Sequence, residues 1–221
     1  MGSSELLAST GENAFGPIPT TRQSALAFTE GVRGGWLASD LAVWIEDHLP
    51  EPNRLVLREP GTVQVVEPRV GTVVLDRKRQ TSPHARAQSA VQVVSLLVAA
   101  RDRIVRALKA SVDSDDASYV HAALYAGHVS RERGPDGRAE WSVCLTEDVA
   151  LSDQVLALFA ADALTHPTAH AHELSVCEVC GAIEFSAGGG SRRGCAIHPY
   201  GSYEAGQPPS SRSGGRRIDR T

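Results

Sequence analysis

Four residues near the end of the chain have the types and the spacing to bind a metal ion. They are Cys177, Cys180, Cys195 and His198. Thiolate and imidazole are donors that zinc prefers, and structural zinc sites hold the ion with four such groups in a tetrahedron. Two ligands separated by two residues can face one ion from a tight turn, and the pattern C-x2-C-x14-C-x2-H contains two such pairs. The sequence therefore predicts one zinc ion bound by these four side chains.

The segment 175–200 resembles a zinc ribbon, in which two ligand-bearing knuckles are joined by a short β segment. Residues 182–186 have the composition of a strand, and Gly181 lets the backbone amides turn toward the thiolates. His198 replaces the fourth cysteine of the commonest ribbons and is chemically acceptable there. The resemblance implies a structural ion, because four protein ligands leave no position open for water or substrate.

Three further histidines precede this segment, at His166, His170 and His172. We interpret them as part of a solvated linker, although one of them could replace His198 or contribute to a second metal site. A redox-active or simply buried cysteine pair is the other alternative. It is disfavoured because redox C-x2-C pairs normally begin a helix within a βαβ unit, and the sequence shows no such context.

The elements that must position this site follow from apolar periodicity and turn residues. Helices are predicted over residues 24–49, 85–111 and 153–164, the first weakened at Gly34 and Gly35 and the last capped by Ser152. The apolar face predicted for the second helix comprises Val91, Val94, Leu97, Val98, Ile104, Val105 and Leu108.

Strands are predicted at 54–58, 62–67 and 72–77, and a hairpin turns at 134–137. Residues 119–127 fit either a short helix or a further strand. The predicted class is α+β, with one antiparallel sheet of about five strands, helices packed on it, and a small C-terminal zinc ribbon.

Composition divides the chain into four parts. Residues 1–19 and 204–221 are polar and rich in Gly, Pro and Ser, which predicts a disordered N-terminus and a flexible Arg/Gly/Ser tail. Between them we expect an α+β domain over 20–165 and a zinc-ribbon-like module over 166–203.

Composition also bears on location. Neither an apolar leader nor an apolar run of about 20 residues is visible, which predicts a cytoplasmic protein with no membrane association. Three of the four cysteines cluster in the ribbon segment, as expected for intracellular metal binding. The basic residues are 20 Arg and two Lys, a bias typical of a GC-rich bacterial genome.

The charge distribution limits the function without specifying it. The net charge of -4 argues against a dedicated nucleic-acid binder. However, residues 76–109 carry eight basic and two acidic side chains, and residues 110–167 carry three basic and ten acidic ones. These segments form either two solvated faces that attract each other or a bipolar surface for partners.

Three functions are therefore considered. The first is a non-enzymatic regulatory or adaptor protein with a structural zinc site that acts through protein–protein contacts. The second is a nucleic-acid-binding accessory factor, and its candidate phosphate-binding residues are Arg192, Arg193, Arg216 and Arg217. The third is an enzyme with an unrecognised site, which would need converging His or acidic residues such as those around His121 and His128. No catalytic residue is assigned, because the common catalytic motifs do not occur in the sequence.

Overall fold

The structure is a computed structural model that describes residues 20–49, 62–68, 70–76, 83–133, 137, 139–144, 149–186 and 194–198. Six helices and six strands lie within these ranges. The helices are α1 (Thr21–Arg33), α2 (Ala38–His48), α3 (Pro83–Ser114), α4 (Ser118–Tyr125), α5 (Leu151–Thr165) and α6 (Pro167–Glu173). The strands are β1 (Thr62–Glu67), β2 (Gly71–Asp76), β3 (Val129–Arg133), β4 (Ala139–Val143), β5 (Leu174–Val176) and β6 (Ile183–Phe185).

The mixed helix and strand content is confirmed, but the single sheet of about five strands is wrong. The described strands form three separate two-stranded antiparallel sheets, β1–β2, β3–β4 and β5–β6. Each hairpin packs on helices: β1–β2 on α3 and α5, β3–β4 on α5, and β5–β6 on α3 and α1. Helices therefore contact all three described hairpins, and none of these hairpins pairs with another. The predicted strand 54–58 and most of the turn at 134–137 fall outside the described residues.

Helix α5 lies at the centre of the core. Its side chains from Leu151 to Asp162 are buried on all sides, except for the half-buried Asp153. Its first turn is not capped as predicted, because Ser152 lies inside the helix and Ala150, at the N-cap, provides no side-chain hydrogen bond. Instead the buried carboxylate of Glu67, at the end of β1, accepts hydrogen bonds from the Ser152 amide and hydroxyl, each at 3.0 Å. Burial raises the pKa of Glu67, against the lowering effect of these bonds.

Helix α3 is longer than predicted, and its buried face only partly matches the prediction, which is confirmed at Leu97, Ile104 and Leu108. Its buried residues are Val93, Leu96, Leu97, Ala100, Ile104 and Leu108. Val91, Val94 and Val98, which periodicity placed on the buried face, are exposed. Arginines in the second half of α3 bond to residues of other elements. Arg103 bonds to the Ser152 hydroxyl and pairs with Asp153, so it joins the basic segment of the sequence to the acidic one.

Helices α1 and α2 are separated where Gly34 and Gly35 weaken the helical pattern, as the sequence predicts. Gly35 has a φ of +89°, which a glycine adopts without a steric penalty. The turn folds Trp36 back over Gly31, where a Cβ atom would collide with the indole ring. Phe28, Trp36 and Trp44 then form an aromatic cluster that fixes the end of α1 beside the rest of the core.

The segment that carries the cysteines packs into the same core. Leu174, Val176 and Ile183 are buried together with residues of α1, α3 and α5. Among the helices that the structure describes, none combines the length and the apolar character needed to cross a bilayer.

Candidate metal centre

The first two cysteines lie at the turn of the β5–β6 hairpin. The strands pair Val176 with Ile183 and Leu174 with Phe185. The Cys177 amide extends the ladder by donating to the Ala182 carbonyl at 2.8 Å. The Gly181 amide closes the turn by donating to the Cys177 carbonyl at 2.9 Å. The predicted strand after the first knuckle is present, and the preceding β5, which the sequence did not reveal, completes the hairpin.

The second pair forms a separate turn over residues 194–198. The Cys195 amide donates to the His198 carbonyl at 3.0 Å, and the His198 amide donates to the Cys195 sulfur at 3.4 Å. This turn brings the imidazole back over the thiol, so that Nδ1 of His198 lies 3.6 Å from Sγ of Cys195.

The fold brings the four predicted ligands together. Their ligand atoms all lie within 4.8 Å of one another. Cys177 and Cys195 are buried, and Cys180 and His198 are half-buried.

Two of the distances can be compared with an ideal tetrahedron. Zn–S bonds of about 2.3 Å imply sulfur–sulfur edges of about 3.8 Å, and a Zn–N bond of about 2.0 Å implies a sulfur–nitrogen edge of about 3.5 Å. The structure has 3.7 Å between the sulfurs of Cys180 and Cys195, and 3.6 Å between Cys195 Sγ and His198 Nδ1. These two distances match a tetrahedral site, and the four residues lie close enough together to hold a metal ion.

The backbone around the first knuckle favours thiolate at Cys177. Burial raises the pKa of the Cys177 thiol, but the amides of Cys180 and Val179 point at its sulfur, and the net effect is a lowered pKa. For Cys180, burial outweighs the amide of Ala182 and the pKa is raised. Amide groups directed at metal-binding sulfurs are typical support for such ligands, because they stabilise the charge that the ion requires.

Arg101 of α3 attaches the first knuckle to the core. Its Nη2 atom donates to the carbonyl oxygens of Cys180 and Gly181, at 2.9 and 3.0 Å. Gly181 has a φ of +62°, and a Cβ atom there would lie 3.2 Å from Cγ1 of Val105. A glycine is therefore favoured both by the turn and by the close approach of α3.

A second arginine lies beside the site at the end of α1. Arg33 pairs with Glu30, which is the main cause of its raised pKa, and the nearby Cys180 thiol adds to the effect. Three thiolates and one divalent ion leave a net negative charge. Arg33 and Arg101 therefore place positive charge where the loaded centre would need it.

The three additional histidines do not join this cluster. The segment predicted as a linker is helix α6, with Pro167 at its start and His170 buried. Nδ1 of His170 lies 2.7 Å from Asp162, and its Nε2 lies 2.8 Å from the Tyr119 hydroxyl. His166 and His172 are exposed. Among the described residues, the Cys3His group is the single set of three or more potential ligands close enough to share an ion.

This histidine belongs to a buried polar network that the sequence did not indicate. Arg22 donates through Nε to both oxygens of Asp162 at 3.1 Å, and through Nη1 to Glu173 at 2.9 Å. Burial would raise the pKa of Asp162, but the hydrogen bond from His170 and the charge of Arg22 hold it below its ordinary value. Burial raises the pKa of Tyr119. The network joins α1, α4, α5 and α6, and each of its members has a partner, as a structural role requires.

Other candidate residues are not brought together. His121 is exposed on α4, and His128 is half-buried in the turn before β3. The arginines proposed for nucleic-acid binding, Arg192, Arg193, Arg216 and Arg217, lie outside the described residues.

Arg101 and Arg33 support the metal centre but were not recognised from the sequence. Nothing in the sequence of helices α3 and α1 indicates that these arginines lie beside the knuckle, because the contacts join residues far apart in the chain.

Comparisons with protein-family models, with curated proteins and with solved structures found no match to this chain.

Proposed function

We propose that this chain is a regulatory or adaptor protein without catalytic activity of its own, in which a structural zinc ion shapes a surface for protein partners. The observation that carries the proposal is the closed Cys3His set, whose ligand atoms lie within 4.8 Å of one another. Four protein ligands fill a tetrahedron, so the ion has no free position at which to bind water or substrate.

The donor set supports zinc in particular. Three thiolates and one imidazole are soft and borderline ligands, which disfavour magnesium and calcium and suit zinc in a tetrahedral site. The attachment of the knuckle to α3 through Arg101 supports a structural role, because binding of the ion would then stabilise a larger part of the fold.

Exposed apolar side chains at the knuckles support a role in partner binding. Val179 lies between the first two ligands and Ile197 between the last two, with exposed fractions of 55% and 69%. Metal binding would hold both side chains on a rigid backbone, which lowers the entropic cost of binding a partner.

Metal analysis of the purified protein tests the first part of this proposal. We expect one zinc per chain in the wild type and none in a Cys180→Ala, His198→Ala double variant. A matched control is Cys144→Ala, which removes an exposed cysteine outside the cluster and should leave the zinc content unchanged. Absence of zinc from the wild type, or its retention in the double variant, would refute the proposed centre.

The partner class requires a separate measurement. Affinity capture with the wild type and with a Val179→Ser, Ile197→Ser variant, before and after nuclease treatment, distinguishes protein from nucleic-acid partners. The adaptor proposal expects a captured protein that survives nuclease and is lost with the variant. Capture that disappears with nuclease and falls steeply with salt would favour the nucleic-acid-binding alternative instead.

A further inference from the structure

The three cysteines of the candidate metal centre differ in how readily solvent reaches their sulfurs. Cys177 and Cys195 are only 2% and 7% exposed, whereas Cys180 is half-buried. In the zinc-loaded centre all three are thiolates, because a thiol that coordinates the ion is deprotonated. Oxidation of a thiolate depends on its exposure, so a small oxidant in solvent reacts first at Cys180.

A cation lies beside this more accessible sulfur. The pKa of Arg33, at the end of α1, is raised mainly by its pair with Glu30 and further by the charge and a hydrogen bond of the Cys180 sulfur. When a thiolate attacks a peroxide, negative charge moves from the sulfur to the departing oxygen. A guanidinium at this position can donate a hydrogen bond to that oxygen and stabilise the charge as it develops. Arg33 therefore favours oxidation at Cys180.

A second thiolate is placed to complete the reaction. Sγ of Cys195 lies 3.7 Å from Sγ of Cys180, and a disulfide of about 2.0 Å requires an approach of about 1.7 Å. The two sulfurs belong to different turns. Among the described residues, the backbone hydrogen bonds of the 194–198 turn stay within that turn. It can therefore move toward the first knuckle without losing a backbone hydrogen bond to the described core.

We infer that the centre is a peroxide-sensitive switch, in which Cys180 is oxidised first, Cys195 forms a disulfide with it, and zinc is released. This inference rests on the proposed zinc centre. The disulfide joins the two knuckles, unlike a redox C-x2-C pair, which lies within one turn.

The reaction needs hydrogen peroxide as its oxidant and balances in two steps. First, the Cys180 thiolate attacks one peroxide oxygen; an S–O bond forms, the O–O bond breaks, and hydroxide leaves a sulfenic acid behind. Second, the Cys195 thiolate attacks the sulfenic sulfur; an S–S bond forms, the S–O bond breaks, and a second hydroxide leaves. The two sulfurs together lose two electrons, which reduce one peroxide to two hydroxides. Both thiolates are consumed, so the ion loses two of its four ligands.

Loss of the ion acts on the proposed partner surface. Val179 and Ile197 lie between the paired ligands, and the metal holds their two turns together. After oxidation, His198 and Cys177 no longer share an ion. Peroxide should therefore weaken partner binding, and a thiol reductant with added zinc should restore it, because the disulfide is reversible.

Treatment of the zinc-loaded full chain with hydrogen peroxide tests the inference, and a chromophoric chelator reports the released zinc. The wild type should release its one zinc per chain, and dithiothreitol with added zinc should reload it. Mass spectrometry of thiol-blocked peptides locates the disulfide. Cleavage after Glu178 and after Arg193 places Cys177, Cys180 and Cys195 in separate peptides, and the expected bond joins the last two cysteines.

Two variants test the roles assigned to individual residues. Arg33→Gln should slow zinc release about threefold, a modest effect because water screens a partly exposed cation. Its matched control is Arg131→Gln, which removes an exposed arginine from β3 and should release zinc at the wild-type rate. Cys180→His keeps four ligands that suit zinc, and it should release the ion at least about tenfold more slowly because its remaining thiolates are buried.

Three results would overturn the switch and leave the zinc centre standing. They are a zinc-loaded wild type that keeps its ion in peroxide, a disulfide that includes Cys177, and equal release rates from the wild type and Arg33→Gln. Release from zinc-loaded Cys180→His at the wild-type rate would have the same meaning. A wild type purified without zinc would instead refute the zinc centre and the switch together, so the two failures are distinguishable.

Discussion

Replacement of Arg101 by methionine should weaken metal binding although Arg101 is not a ligand. The substitution keeps an unbranched apolar stem but removes both hydrogen bonds to the carbonyl groups of Cys180 and Gly181. Without them, this hydrogen-bonded attachment of the first knuckle to α3 is lost. The ion must then order a turn that the wild type already holds in place.

The magnitude follows from three contributions. Hydrogen bonds from charged donors each contribute about 1.5–3 kcal/mol. Both acceptors belong to half-buried residues, so water can replace part of this interaction. The Nε atom of Arg101 is buried with no hydrogen-bond partner among the described residues, and that cost disappears in the variant. We expect a net loss of about 1.5 kcal/mol, which corresponds to roughly a tenfold larger dissociation constant for zinc.

Competition for zinc with a chromophoric chelator at neutral pH measures this constant. Arg103→Met is the matched control, since Arg103 lies on the same helix but bonds to Ser152 and Asp153 at the start of α5. That control should lower the free energy of unfolding while changing zinc affinity by less than about twofold, an effect below 0.5 kcal/mol. Equal zinc affinity in Arg101→Met and the wild type, or equal weakening in Arg103→Met, would refute the proposed coupling.

Three further substitutions test the network, the knuckle and the helix cap. Asp162→Asn should cost about 3 kcal/mol in urea unfolding at pH 7, because it breaks a buried ion pair. Since the pKa of Asp162 is lowered, this contribution is present at neutral pH; the difference from wild type should begin to shrink as pH falls below the ordinary aspartate pKa of about 4 and vanish only below the lowered pKa of the folded state. Gly181→Ala should cost about 1–2 kcal/mol from its positive φ, seen as a lower melting temperature of the zinc-loaded protein. Glu67→Ala should cost about 1–2 kcal/mol and speed hydrogen exchange in the first turn of α5, where the Ser152 amide loses its acceptor. Unchanged stability or exchange in any of the three would contradict the role assigned to that residue.

Local patterns predicted local structure well. The break between α1 and α2 at Gly34, the β1–β2 and β3–β4 hairpins and the helix over α5 all depend on residues close together in the chain. The single five-stranded sheet was wrong because pairing between hairpins is non-local. Helices α3 and α5 contact the hairpins instead, and periodicity within a strand carries no information on that choice.

The errors on α3 and α6 have a similar origin. Helix α3 has apolar residues on two sides. The periodicity of these residues therefore predicts a helix but does not identify which side is buried. The histidine-rich segment was interpreted as a solvated linker because its composition is polar. His170 is nevertheless buried, because Asp162 and Tyr119, from two other helices, satisfy both nitrogens of its ring.

By itself, the sequence determined which residues form the candidate centre, since ligands two residues apart share a knuckle whose geometry depends on that short segment alone. Tertiary structure decided how the two knuckles meet, with the sulfurs of Cys180 and Cys195 3.7 Å apart. It also decided that Arg101 and Arg33 support the first knuckle, and that Val91, Val94 and Val98 remain exposed. These outcomes depend on packing between elements distant in the chain, where many arrangements satisfy the same local preferences and the burial of the whole core selects one.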